Sequence, residues 1–171
     1  MKKSKNLRVP VFAAVLAALS IVLGKFAAIN IGDTIRISFE NLPIILSSVI
    51  LGPIWGALCG VCADLLGCVL RVFAINPLIT VVQAVMGILP GVLTRYVFRS
   101  TSARYAAAST AITHVICSMG LKTVALHIAF TTPYAALFAT RIPSYLLVGA
   151  AEAYICFLLL KSSIIRKEFS L

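Results

Sequence analysis

Charge is scarce in this sequence. Of 171 residues only 12% are Asp, Glu, Lys or Arg, and just five are acids. Soluble domains carry about 25% charged residues, so this shortage excludes an ordinary water-surrounded domain. Catalytic signatures are missing too. No G-x-x-x-x-G-K-[S/T] phosphate loop occurs, which excludes ATP hydrolysis by that route. Five cysteines supply a single C-x-x-C, Cys59 and Cys62, with no second pair to complete a metal site. The two histidines, His114 and His127, fall on a distant segment. The cysteines therefore read as small apolar residues. No Ser/His/Asp arrangement stands out. The chain is read as a non-enzyme without cofactor or metal.

What is present is apolar. Hydrophobic residues make up 61% of the chain, and the mean hydropathy is +1.05. A membrane-crossing helix needs about 20 such residues, so the length accommodates about six. Gly, Pro and charge divide the chain into spans at Val9–Ala28, Leu42–Leu51, Ile54–Leu70, Leu78–Phe98, Tyr105–Phe130 and Leu137–Leu160. The second is short for a crossing. The basic head before the first resembles a signal peptide, but the apolar run is too long for one and reads as a retained helix. Between spans one and two, Thr34–Phe39 alternates with period two, which predicts an extended stretch. The expected fold is an all-α integral membrane protein, a bundle of six transmembrane helices in one domain, residues 1–171, located in the cell membrane.

Orientation follows from the positive-inside rule. With the first residues inside, ten of the fifteen Lys and Arg fall on the inner side: Lys2, Lys3, Lys5, Arg8, Arg95, Arg99, Arg104, Lys161, Arg166 and Lys167. Lys25, Arg36, Arg71, Lys122 and Arg141 remain outside. Both ends are thus expected in the cytoplasm. The net charge of +10 matches anionic lipid rather than nucleic acid, for which no separate basic module exists.

The outer cations are the informative remainder. Arg36, Arg71, Lys122 and Arg141 come from four segments, and Asp64 lies at similar depth. Such groups face a protein interior or a wet cavity, so their convergence predicts an anion pocket open to the outside. Snorkelling to headgroups, or pairing with Asp33, Glu40 or Asp64, is the alternative. Gln83, Asn76, His127 and Tyr145 are candidate neutral partners. Glu152, in the middle of span six, is a candidate proton relay. Four-residue spacing places Ala13 with Ala17, Ala14 with Ala18, Gly56 with Gly60 and Ala63 with Gly67 on helix faces where backbones approach closely. These faces pack within the chain or dock another membrane subunit.

The chain resembles the substrate-binding (S) components of energy-coupling factor (ECF) vitamin transporters. The resemblance rests on Ala13/Ala17, on Arg36-Ile37-Ser38-Phe39-Glu40-Asn41-Leu42-Pro43, on Leu51-Gly52-Pro53-Ile54-Trp55-Gly56 with Gly60, Asp64 and Gly67, and on Met86-Gly87-Ile88-Leu89-Pro90-Gly91. Leu121–Leu126, Thr132-Pro133 and Thr140-Arg141-Ile142 are similar to the folate-specific members. Those members often carry Asn and Trp where this chain has Lys122 and Ala125. The resemblance implies a high-affinity vitamin-binding subunit that captures ligand from outside. It implies docking, through Ala13, Ala14, Ala17 and Ala18, on a transmembrane coupling subunit that carries two ATPases. For folate, Arg36, Arg71 and Arg141 would hold the two tail carboxylates, with Lys122 as a point charge. Asp64 would accept from the pterin edge. Phe39 and Tyr145 would stack on the rings, with Phe73, Phe130 and Tyr134 as further candidates. Pantothenate, thiazole and queuosine-precursor binding stay open, as does an unrelated carrier or enzyme.

Overall fold

In the computed structural model, residues 3–26, 28–31, 35–71, 75–130 and 134–162 are described. At 3–6, 29–31, 35–37, 71, 129–130 and 134–141 the description is of the backbone alone. Helix α1 spans Lys3–Phe26. A hairpin of β1 (Ile29–Ile31) and β2 (Ile35–Ile37) follows, antiparallel, with Asn30 opposite Arg36. Then come α2 (Asn41–Leu51), α3 (Pro53–Arg71) and α4 (Pro77–Val92). A π-helical turn, Leu93–Val97, continues α4. Helix α5 (Ala103–Thr113) runs through a π-helical segment, His114–Leu121, into α6 (Lys122–Phe130). Helix α7 covers Tyr134–Lys161.

Five helical stretches are long and apolar enough to cross a bilayer: Leu7–Phe26, Pro53–Leu70, Pro77–Val97, Ala103–Ile128 and Ile142–Lys161. They match the predicted spans one, three, four, five and six. The predicted short span is α2. Its 11 residues rise about 16 Å, roughly half of a 30 Å hydrocarbon core. A half-length helix is tolerated because it does not face lipid. Every residue from Asn41 to Ile50 is buried. The extended stretch expected after span one is the β-hairpin.

Contacts at the two ends show how the chain runs. Ser20 Oγ, late in α1, donates to the Glu40 carbonyl oxygen at the start of α2. Lys122, opening α6, pairs with Glu40. At the other end Arg95 Nη2 donates to Ile50 O at 3.1 Å, which satisfies a carbonyl in the last turn of α2. The chain leaves α2 through Gly52 at φ 117°, and a Cβ there would collide with the Arg95 guanidinium. Arg95, Arg104 and Lys161 therefore mark one basic end, cytoplasmic by the positive-inside rule, and Glu40 and Lys122 face the other.

Small residues let α2, α3 and α4 close on each other. A Cβ added at either Gly56 or Gly87 would overlap the other's carbonyl oxygen. Gly91 N donates to Ser48 Oγ at 2.9 Å. Apolar clusters fill the remaining space. Leu16 and Ala17 of α1 meet Ile44, Cys59 and Ala63. Leu42, Ile45, Val49, Ala106, Cys156 and Leu160 join α2 to α5 and α7. Val82, Met86, Cys117 and Ala125 join α4 to the π-helical segment and α6. Cys59, Cys117 and Cys156 act here as core side chains.

Replacing Gly56 or Gly87 by Ala should lower stability by about 1–3 kcal/mol through overpacking. At Gly67 an added Cβ meets nothing within 4 Å, so Gly67→Ala should be neutral or stabilise by up to about 1 kcal/mol. Thermal unfolding in detergent checks both. Equal loss at all three positions would contradict the packing described.

Candidate functional site

The N-terminus of the half-length α2 is buried at Asn41, with Glu40 beside it part-buried. A discontinuous helix end at this depth points positive backbone amides into the interior. Some of the described buried polar side chains lie near it. Glu152 of α7 is fully buried. Its Oε2 lies 2.6 Å from His114 Nε2, across 38 residues of sequence, and His114 Nδ1 lies 3.2 Å from Ser118 Oγ. A lone carboxylate in this setting is expensive, and the imidazole offsets that by sharing a proton along the Nε2···Oε2 contact. His114 opens the π-helical segment, an irregularity frequent at functional positions. Gly149 makes room for the ring: a Cβ there would sit 3.2 Å from His114 Cβ and Cγ.

One oxygen of that carboxylate is unused. Glu152 Oε1, Asn41 Oδ1, Thr123 Oγ1 and Gln83 Oε1 are buried side-chain atoms without a hydrogen-bond partner. Native structures rarely leave such atoms unpaired. Three of the four cluster by connectivity. Asn41 is the first residue of α2, beside Glu40. Thr123 follows Lys122, whose Nζ is 3.7 Å from Glu40 Oε1. Glu152 lies close enough to the start of α2 for the Leu42 backbone N–H to act on its carboxylate as a donor, with Glu40 as a neighbouring like charge, although Oε1 has no partner within hydrogen-bond geometry. Gln83, on α4, lies lower, where its carbonyl crosses α3 at Gly60 beside Ile44. The three carbonyl or carboxylate oxygens can only accept when Glu152 is ionised. The cluster is a floor of acceptors awaiting donors.

The sequence-predicted site residues fare unevenly. Asp64 Oδ2 accepts from Thr80 Oγ1 at 2.7 Å, so this carboxylate already has a protein partner. Lys122 is drawn to Glu40 instead of standing alone. Phe39 and Tyr145 are half-buried. The side chains of Arg36, Arg71 and Arg141, of Phe130 and Tyr134, and the whole of Asp33 and Phe73 lie outside the described residues. Sequence reasoning noticed Glu152 but not its partner. The available signal was a carboxylate in mid-span in a chain with five acids; nothing in the spacing connects it to His114.

The alanines of α1 split between two faces. Ala13 and Ala17 are 6% and 7% exposed, with Ala17 packed on α2 and α3. They belong to the chain's own core. Ala14 and Ala18 lie on the opposite face with Val11, Val15, Leu19 and Val22, all exposed. This is a continuous helical stripe of small and branched apolar residues.

Residues 8–161 match the family described as ECF transporter, substrate-specific component. An uncharacterised protein of Mycoplasma pneumoniae, the MG313 homolog, is 39% identical over 64 residues, 37% of this chain. The chain spans only 22% of that relative's length. Among solved structures, ThiT from Listeria monocytogenes superposes with a TM-score of 0.69 at 18% identity, covering 94% of this chain and 97% of its own. FolT bound with folic acid gives 0.67 at 19% identity, covering 94% of each chain. The S component of a bacterial ECF transporter gives 0.68 at 15%, covering 91% and 95%. Such identities establish the shared fold. With the family match across nearly the whole chain, the conclusion is plain: this is an integral membrane protein of the ECF transporter family, its substrate-specific component.

Proposed function

We propose that the chain is a vitamin-capturing subunit for folate, with the pterin ring seated over the α2 N-terminus. The observation that carries this reading is the group of unpartnered acceptors on Glu152, Asn41 and Thr123. A pterin presents adjacent N–H donors along its amino-pyrimidinone edge, and a buried carboxylate with one free oxygen complements them. Glu152 takes the role first given to Asp64, which is engaged by Thr80. Phe39 and Tyr145, both half-buried, are the candidates to stack on the rings. Arg36, Arg71 and Arg141 are the candidates for the two tail carboxylates. FolT bound with folic acid shares the fold at 19% identity, as ThiT does at 18%.

A second reading keeps the floor and drops the tail. Pairing of Lys122 with Glu40 removes one cation from tail recognition. That favours a smaller vitamin whose aminopyrimidine ring offers an amino N–H donor, such as thiamine. In both readings the subunit captures ligand from outside. It docks on a transmembrane coupling subunit with two ATPases through the exposed Ala14 and Ala18 stripe of α1, with Ala13 and Ala17 fixing that helix from behind.

Glu152→Gln should weaken folate binding about 10- to 100-fold, the worth of one hydrogen bond to a charged group. Asp64→Asn should change it far less. Titration of labelled folate into the purified chain reads both, and the reverse order would return the role to Asp64. Arg141→Ala should weaken folic acid at least about tenfold while leaving pteroic acid, which lacks the glutamate tail, nearly unchanged. Loss of neither ligand would remove Arg141 from the site. Tight thiamine binding without folate binding would select the second reading. Ala14→Trp and Ala18→Trp should abolish uptake in cells that hold the full transporter while ligand binding survives. Ala13→Trp should lower both, since it disrupts the core.

A further inference from the structure

The basic end of the bundle holds a cavity of about 250 Å³ between the first turn of α5 and the last turn of α7. Thr101, Ser102, Arg104 and Lys161 line its polar side, and Phe157 and Leu160 its apolar side. Among the described residues no carboxylate lines it. Lys161 Nζ sits 5.9 Å from the centre of the Phe157 ring, a cation–π contact that holds the ammonium at the rim. Arg104 is exposed and comes from the other helix, so the two charges approach the hollow from opposite walls. The start of α5 adds to them. Ser102 occupies the N-cap position but its side chain makes no capping bond. The first amides of α5 therefore point toward this end without a side-chain acceptor.

Depth and lining together indicate what fills it. Tyr96 and Tyr105 at this end are 70% and 45% exposed, and Phe98 stacks on Tyr105 with ring centres 5.2 Å apart. Exposed aromatic groups of this kind mark the headgroup level of a bilayer. One wall is cationic and hydroxyl-bearing, and the other continues as apolar helix surface through Leu158 and Tyr154, which are 47% and 63% exposed. A soluble anion would use the first wall and gain nothing from the second.

We propose that this cavity binds the phosphate of an anionic phospholipid from the cytoplasmic leaflet, with an acyl chain along α7. Arg104 and Lys161 pair with the phosphate oxygens, and Thr101 and Ser102 donate hydroxyl hydrogen bonds. The site is separate from the acceptor floor and does not depend on which vitamin is carried.

Native mass spectrometry of the full chain in detergent, with phosphatidylglycerol or phosphatidylcholine added at equal concentration, tests it. Phosphatidylglycerol should be retained in preference. The double variant Arg104→Gln with Lys161→Gln should retain it about thirty-fold less, the expected effect of losing two headgroup-level cations. Lys5→Gln with Arg8→Gln removes the same charge from the same end on α1, no residue of which lines the cavity, and should leave retention within about threefold. Equal loss in both double variants, or no preference between the lipids, would overturn the proposal. Thermal stabilisation of the chain by inorganic phosphate as strong as that by phosphatidylglycerol would overturn the lipid as its source.

Discussion

A carboxylate with no solvent exposure, in the middle of a membrane span, is the constraint around which this protein is arranged. Glu152 would cost about 2.5–3.5 kcal/mol as an ionised group at the centre of an isolated helix. Its partner is fixed by the fold: His114 at 2.6 Å, from the helix packed beside it. That one contact accounts for several neighbouring features. Gly149 leaves room for the imidazole. The π-helical segment begins at His114, and Ser118 one turn later occupies the ring's other nitrogen. The arrangement satisfies half of the carboxylate and leaves Oε1 bare. A fold that had Glu152 only for stability would have little reason to leave that atom open.

The half-length α2 is the other element that meets Glu152. Its C-terminal end is closed by Arg95, lying against Ile50 and Gly52. Its flanks are gripped by α3 and α4 through contacts only glycine permits. Its N-terminal end is met by Ser20, by Lys122 and by the Glu152 carboxylate, while Glu40 at the N-cap makes no side-chain capping bond. The bundle is therefore tight toward the basic end and polar toward the other. That asymmetry suits a subunit that receives a ligand from one side and gives it up only when a partner acts on it.

Much of the architecture was legible in the sequence because the bilayer imposes a simple rule: about 20 apolar residues per crossing. The positions of the five long spans follow from it, and Gly52-Pro53 and Asn76-Pro77 mark boundaries that the helices respect. The hairpin showed in the alternation of Thr34–Phe39. Less legible was which face of a helix turns inward. Ala13/Ala17 and Ala14/Ala18 carry the same spacing, yet one pair is core and the other is surface, because only the neighbours α2 and α3 distinguish them. The site was harder still. Cations were conspicuous and drew attention to the outer ends of the spans. The buried acceptors below that level are on Asn41, Thr123 and Glu152, of which only Glu152 was noticed in the sequence, and they come from three separate helices. Gly56 and Gly60 likewise could have served either packing or docking, until Gly87 and Gln83 were found against them.

The central claim is that the unused oxygen of Glu152 receives a ring N–H of the captured vitamin. A high-resolution structure of the chain with folic acid bound tests it most directly. The account predicts Oε1 of Glu152 at about 2.7–3.0 Å from a pterin nitrogen, with the His114 contact retained. A ligand held in the outer loops, with Oε1 still facing no donor from it, would contradict the account.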